Sequence, residues 1–288
     1  MSRMLGQRRR QLRLRSGLPC RICGDDGGEL QLDIQERPAG GPYSSGAVWE
    51  GAELAADLFW ERTQLRGVSV LELGSGTGVG GIAAACAGAQ VVLTDLQDAL
   101  PLIRENVELN DACINRGGGR VCRVLEIDLH SPDAGVETMR SEGLTANVVL
   151  LADVTYHAEL VDAAVRTVRS VVLAAGDTAR SVEVLVVHRP RGKVSDESLV
   201  EAFRQGGFRM LRCAATPWPD AHYFLFALDY HSSKSHGGHA SDTDAKEGAT
   251  AGVECAAGGG VMMAALMAMA SGDIMCGETE TAAAGGEK

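Results

Sequence analysis

The run Val68-Ser69-Val70-Leu71-Glu72-Leu73-Gly74-Ser75-Gly76-Thr77-Gly78 constrains the fold of this chain more than any other stretch. Apolar, partly β-branched residues lead into an acid, a hydrophobe and then three glycines at alternate positions. The apolar part reads as a buried parallel strand. The glycines read as a tight strand-to-helix turn, because only glycine lets backbone approach a bound molecule with no Cβ in the way. Ile82, Ala83, Ala84, Ala85, Cys86 and Ala87 then predict a small-residue helix lying close against the sheet.

Two cofactor readings compete for this turn. A dinucleotide fold asks for G-x-G-x-x-G, whereas the spacing here is G-x-G-x-G, with Glu72 two residues ahead of the first glycine. A pyrophosphate beside Glu72 would be repelled and a cationic group attracted. S-adenosylmethionine carries a sulfonium and an α-ammonium, so the acid favours it. An ordinary Gly-rich turn is the bland alternative. The next apolar run, Gln90 to Thr94, ends in Asp95 and Leu96. In a doubly wound sheet, Asp95 stands at the carboxyl edge within reach of a ribose diol. It also suits a helix cap.

Aromatic residues mark the folded unit. All twelve lie between Tyr43 and Tyr230, so the ends lack the large side chains that build a core. This predicts a domain over residues 28–230, a basic and structureless arm over 1–27, and a Gly/Ala-rich, structureless tail over 231–288. The first 24 residues hold seven arginines and no acid; the tail holds three lysines against eight acids and no aromatic beyond Tyr230's neighbourhood. The ten-residue apolar run Val261–Ala270 is too short to span a bilayer. A net charge of −11 argues against a general nucleic-acid binder. Cys20-x-x-Cys23 resembles half a zinc knuckle, but no second pair follows at finger spacing, so no metal is expected. The scattered remaining cysteines suit buried thiols rather than a disulfide framework.

Strands and helices alternate along the rest of the unit. A strand over Glu29–Glu36 and a helix from Val48 to Leu58 precede the central strand; a helix over Gln97–Asn110 follows Asp95. The third core strand, Val121–Ile127, ends in Asp128-Leu129, an acid and a hydrophobe suited to the amine and ring of an adenine. The fourth, Asn147–Ala152, ends in Asp153-Val154-Thr155-Tyr156. A fifth strand and a closing antiparallel pair follow. The order predicts an α/β fold: a doubly wound, mostly parallel, Rossmann-like seven-stranded sheet with one antiparallel edge strand.

These stretches together resemble the class I, seven-β-strand methyltransferases. More narrowly, they resemble the protein-lysine methyltransferase family that includes the valosin-containing-protein lysine methyltransferase. The resemblance covers about residues 30–230. It rests on Val48-Trp49-Glu50-Gly51-Ala52, the glycine turn, Leu93-Thr94-Asp95-Leu96, Pro101–Asn110 and, most diagnostically, the D-x-x-Y motif Asp153–Tyr156. It implies that Trp49 and Ala152 border the cofactor, together with Glu72, Gly74, Ser75, Gly76, Gly78, Asp95, Leu96, Asp128 and Leu129. It also implies that Asp153 and Tyr156 face the substrate amine. Members usually carry a tryptophan near the end of the third strand, where Leu129 stands here.

Chemistry alone supports the same pair. A lysine of pKa about 10.4 is almost wholly protonated at neutral pH, so transfer needs a group that holds the amine once it is neutral. Asp153 can do so by a charge-assisted hydrogen bond, and Tyr156 can offer a ring face or hydroxyl. A helix cap and a packed ring are the structural alternative. The expectation is an S-adenosylmethionine-dependent methyltransferase acting on a lysine of a non-histone protein. The alternatives are a small-molecule or other side-chain N-methyltransferase, and an inactive cofactor-binding scaffold. The protein is expected to be a cytoplasmic monomer without nucleic-acid or membrane partners; the Arg-rich arm leaves an organelle or nuclear address open.

Overall fold

A computed structural model describes residues 8–15, 29–37, 44–62, 65–190, 192–217 and 220–229. Side-chain alternation, with its period of two, sorts the strands into two cores. Strands β3 (Ser69–Leu73), β4 (Gln90–Asp95), β5 (Arg120–Glu126), β6 (Val148–Ala152), β7 (Glu183–His188), β8 (Phe208–Ala215) and β9 (His222–Leu228) form one sheet in the order β5-β4-β3-β6-β7-β9-β8. The five strands from β5 to β7 in that order are parallel neighbours. Strand β9 runs antiparallel to both β7 and β8. The expected seven-stranded, mostly parallel sheet is present, with β9 as its one reversed strand, lying between β7 and the outermost β8.

Helices cover both faces. Val70, Val91, Leu93, Leu150 and Leu185 point to the side of α1 (Glu50–Arg62), α2 (Val79–Cys86), α3 (Leu100–Leu109) and α4 (Asp111–Gly117). Leu71, Leu73, Val92, Val149 and Val184 point to the side of α5 (Asp133–Ser141), α6 (Ala158–Ala174) and α7 (Asp196–Gln205). Each fully buried aliphatic side chain contributes about 1.5–3 kcal/mol. Every residue of α2 is buried. A Cβ on its Gly81 would lie 2.3 Å from Leu93 Cδ2, so the bare glycine is what lets α2 sit this close to β4. The strand order reverses between β3 and β6, and in such sheets ligands bind at the carboxyl ends beside that reversal.

The amino-terminal arm requires a correction. Arg8–Arg15 is strand β1, paired antiparallel with β2 (Glu29–Glu36) in a separate two-stranded sheet. Alternation explains it: Leu12 and Leu14 are buried, while Arg9 and Arg13 point outward toward Asp33 and Glu29. Arg10 pairs with Glu53 of α1. The other edge of β2 is bonded by a helix. Asn106 of α3 accepts from Gln35 N and donates to Gln35 O, and Asn110 does the same with Asp33. Two asparagines one helical turn apart thus stand in for a neighbouring strand.

The helix expected over Gln97–Asn110 is α3, and α4 follows it directly and ends at Gly117. Cys86 is buried, and Cys113, Cys122 and Cys213 are half-buried. Among the described residues no cysteine, histidine or acid cluster suits a metal, and no helix is long and apolar enough to cross a membrane. Cys20, Cys23 and the tail lie outside the described residues.

Candidate active site

The glycine turn is fixed by the strand ends beneath it. Gly74, Gly76 and Gly78 all have positive φ (68°, 56° and 81°), which disfavours any side chain there. Ser75 ties the turn to β4: its N–H donates to Thr94 O, and its Oγ accepts from Thr94 N. Asp95 receives Gly76 N–H at 2.7 Å on one oxygen and Leu96 N–H at 2.7 Å on the other. Its carboxylate retains lone pairs for a further donor such as a hydroxyl. Burial raises its pKa, against the two backbone N–H bonds. A Cβ on Gly76 would lie 3.3 Å from Ser45 O, so the short 3₁₀ turn Ser44–Gly46 covers the glycine turn.

Glu72 occupies an α2-facing position of β3. Its Oε2 accepts Gly81 N–H at 3.1 Å, and its Oε1 would lie 2.5 Å from a Cβ on Gly80. Gly78 offers no side-chain cap to α2, so this carboxylate serves the orphan N–H groups of the helix's first turn from the neighbouring strand. Glu72 is 1% exposed, and burial raises its pKa to about 7. The side chain therefore supports the turn from below rather than lining its open side.

Strand β5 brings the next pair. Ile127 N–H donates to Asp95 O, which sets Asp128 and Leu129 directly beyond the end of β4. Asp128 Oδ1 accepts His130 N–H, and no side chain caps α5 at Pro132. Leu129 is buried, with its carbonyl held by Thr167 Oγ1.

On the other side of the turn lies the Asp153–Tyr156 segment. A Cβ on Gly74 would come 2.9 Å from Val154 Cγ2, so this segment packs directly on the glycine turn. Asp153 has φ of 59°, a left-handed conformation costly for a residue with a Cβ. Its N–H donates to Val187 O at 3.0 Å, one residue beyond the pairing of Ala152 with Val187. A Cβ on Gly51 would lie 2.8 Å from Asp153 Cβ, which brings the first turn of α1 against this acid. Trp49, just before α1, is 38% exposed at the same junction. Glu50 forms an ion pair with Arg189, two residues past Val187. Tyr156 is half-buried, with its ring 4.8 Å from that of His157. No side-chain bond caps α6, whose N-cap is His157, so the capping alternative for Asp153 has no support here.

The expected residues from Glu72 to Tyr156 thus lie at the carboxyl ends of β3, β4, β5 and β6, and Trp49 stands two residues before Gly51, which packs on Asp153. Sequence reasoning missed a polar cluster next to the Asp153–Tyr156 segment. Thr155 Oγ1 lies 2.8 Å from His188 Nδ1; Asp196 lies beyond His188 and is paired with His222 at 2.8 Å. The available signal was a histidine closing the otherwise apolar core of β7, Val184-Leu185-Val186-Val187-His188.

Comparison with known proteins agrees with this geometry. The lysine methyltransferase family profile matches residues 28–205. Protein N-lysine methyltransferase METTL21A of Danio rerio is 34% identical over 139 residues, covering 46% of this chain and 56% of that protein. Methyltransferase-like protein 22 of Homo sapiens is 34% identical over 132 residues, covering 42% of this chain and 32% of that protein. EEF1A lysine methyltransferase 3 of Mus musculus is 44% identical over 77 residues, covering 26% and 32% of the two chains. The aligned part therefore spans well under two thirds of these relatives' own length. The crystal structure of SMU.776 complexed with SAH shares the fold, with a TM-score of 0.51 at 12% identity over 69% of this chain and 54% of that one. With its profile match, its sheet and its D-x-x-Y segment in accord, the chain belongs to the lysine methyltransferase family.

Proposed function

We propose that the protein is an S-adenosylmethionine-dependent methyltransferase that methylates a lysine side chain of another protein. The observation that carries this reading is the packing of the Asp153–Tyr156 segment on the glycine turn through Val154 and Gly74. That contact sets an acceptor-side acid beside a donor-side turn. The turn suits the cofactor: the Asp95 carboxylate stands at its edge, fixed by Gly76 N–H and Leu96 N–H, with lone pairs left for a hydroxyl. Trp49, Asp95, Leu96, Asp128, Leu129 and Ala152 are the residues that would hold it.

Bound S-adenosylmethionine supplies a methyl group on a sulfonium, open to in-line attack by a neutral amine. The chain's own task is alignment. Asp153 accepts a hydrogen bond from the lysine nitrogen and steers its lone pair toward the turn. Tyr156 flanks the same nitrogen with a ring face, which favours a cation on arrival. Trp49 and the Ser44–Gly46 cover restrict water around the reacting centre.

Transfer of tritiated methyl groups from the cofactor into cell lysate tests the proposal. Label is expected in protein, as methyl-lysine after hydrolysis. Label confined to small molecules would move the acceptor to another class. Cofactor binding without transfer would make the protein a scaffold.

A further inference from the structure

Strand β7 grips the acceptor-side turn twice through consecutive residues. The carbonyl of Val187 takes the Asp153 N–H, and the imidazole of His188 meets the Thr155 hydroxyl at 2.8 Å. Thr155 and His188 are 1% and 2% exposed, so neither bond competes with water. The first of the two gripped residues is the left-handed Asp153, a conformation that persists only when its surroundings over-determine it. Gly51 closes the third side.

We infer that His188 is a positioning residue of the methyltransferase site: through Thr155 it fixes the turn that aims Asp153 and Tyr156. The inference rests on the proposed function for its catalytic consequence. Its partners make the role specific. Asp196, the first residue of α7, has one carboxylate oxygen 2.8 Å from His222 Nδ1 and the other 3.9 Å from His188 Nε2. A carboxylate on that side favours the hydrogen on Nε2. Nδ1 is then the acceptor, and the Thr155 hydroxyl donates to it. The bonded link to the turn is the Thr155–His188 pair; Asp196, at 3.9 Å, acts on the imidazole through its charge and is itself held by His222. An isolated packing histidine would need neither a buried hydroxyl partner nor an acid behind it.

The test compares His188→Leu, His188→Asn and Thr155→Val in the full chain. Asparagine can present a polar atom near the position of Nδ1; leucine cannot. Single-turnover methyl transfer should fall about tenfold or more in His188→Leu and Thr155→Val, because misaimed acceptors lose rate steeply. Cofactor affinity should stay near wild type, and His188→Asn should recover most of the rate. Amide hydrogen exchange at Asp153 should quicken in the two deficient variants and slow again in His188→Asn. The inference is overturned if Asp153 exchange is unchanged in both deficient variants, or if asparagine restores neither exchange nor rate. If the wild-type protein transfers no methyl group, the proposed function fails, and Asp153 exchange alone decides the positioning role.

Discussion

Alternation along β3 points Glu72 at α2, and burial there moves its carboxyl from 4.5 to about 7. The folded protein then binds this proton more tightly than the unfolded chain. Its stabilising contribution is complete below about pH 4.5 and is lost as the pH rises to about 7, a loss of about 3 kcal/mol. Asp95, also raised by burial, acts in the same direction. Glu72→Gln keeps an acceptor for Gly81 N–H and cannot ionise. Urea unfolding across this window should therefore show a flatter pH dependence in the variant than in wild type. An equal slope would assign the proton elsewhere. Gly76→Arg tests the turn. With φ at 56° and Ser45 O only 3.3 Å from a Cβ, a long side chain has no neutral place to go. Calorimetry should find cofactor binding lost in a folded variant.

Hairpin β1–β2 is an element held by few contacts of high value. Asn106 is fully buried and bonds Gln35 N, Gln35 O and Thr77 O. Asn106→Ala strips several buried backbone groups of partners at once and should cost about 3 kcal/mol, read as a lower urea midpoint. It also loosens Thr77, so cofactor affinity should weaken with it. Deleting residues 1–27 removes the buried Leu12 and Leu14, so that protein should unfold at lower temperature while still binding cofactor. These elements also show what a single sequence reveals. The parallel strands were legible because β-branched and apolar runs, interrupted only in β5 by Arg123 and Glu126, ended in Asp95, Asp128 and Asp153. Strand β1 was not: seven arginines in the first 24 residues hid the Leu12–Leu14 alternation. The Asn106–Asn110 pair was visible as a spacing, but its strand-like role needs the tertiary approach of β2. His188 was hidden for the same reason, since Thr155 and Asp196 reach it only after the sheet forms.

At the scale of the whole molecule, the sheet divides the chemistry between its two halves. In the proposed function, strands β3, β4 and β5 end at the methyl donor and β6 and β7 at the acceptor; Gly74 and Val154 pack together at the reversal between them. The separation makes binding and transfer independently breakable. Asp153→Ala removes the acceptor-side carboxylate and leaves the Asp95–Gly76 bond in place. The decisive measurement is the single-turnover rate of methyl transfer to protein lysine, taken with the cofactor dissociation constant, in wild type and Asp153→Ala. The rate should fall by about 10²-fold or more, with the dissociation constant near wild type. An Asp153→Ala enzyme with normal turnover, or one losing affinity and rate together, would contradict the assignment of the acceptor to the end of β6.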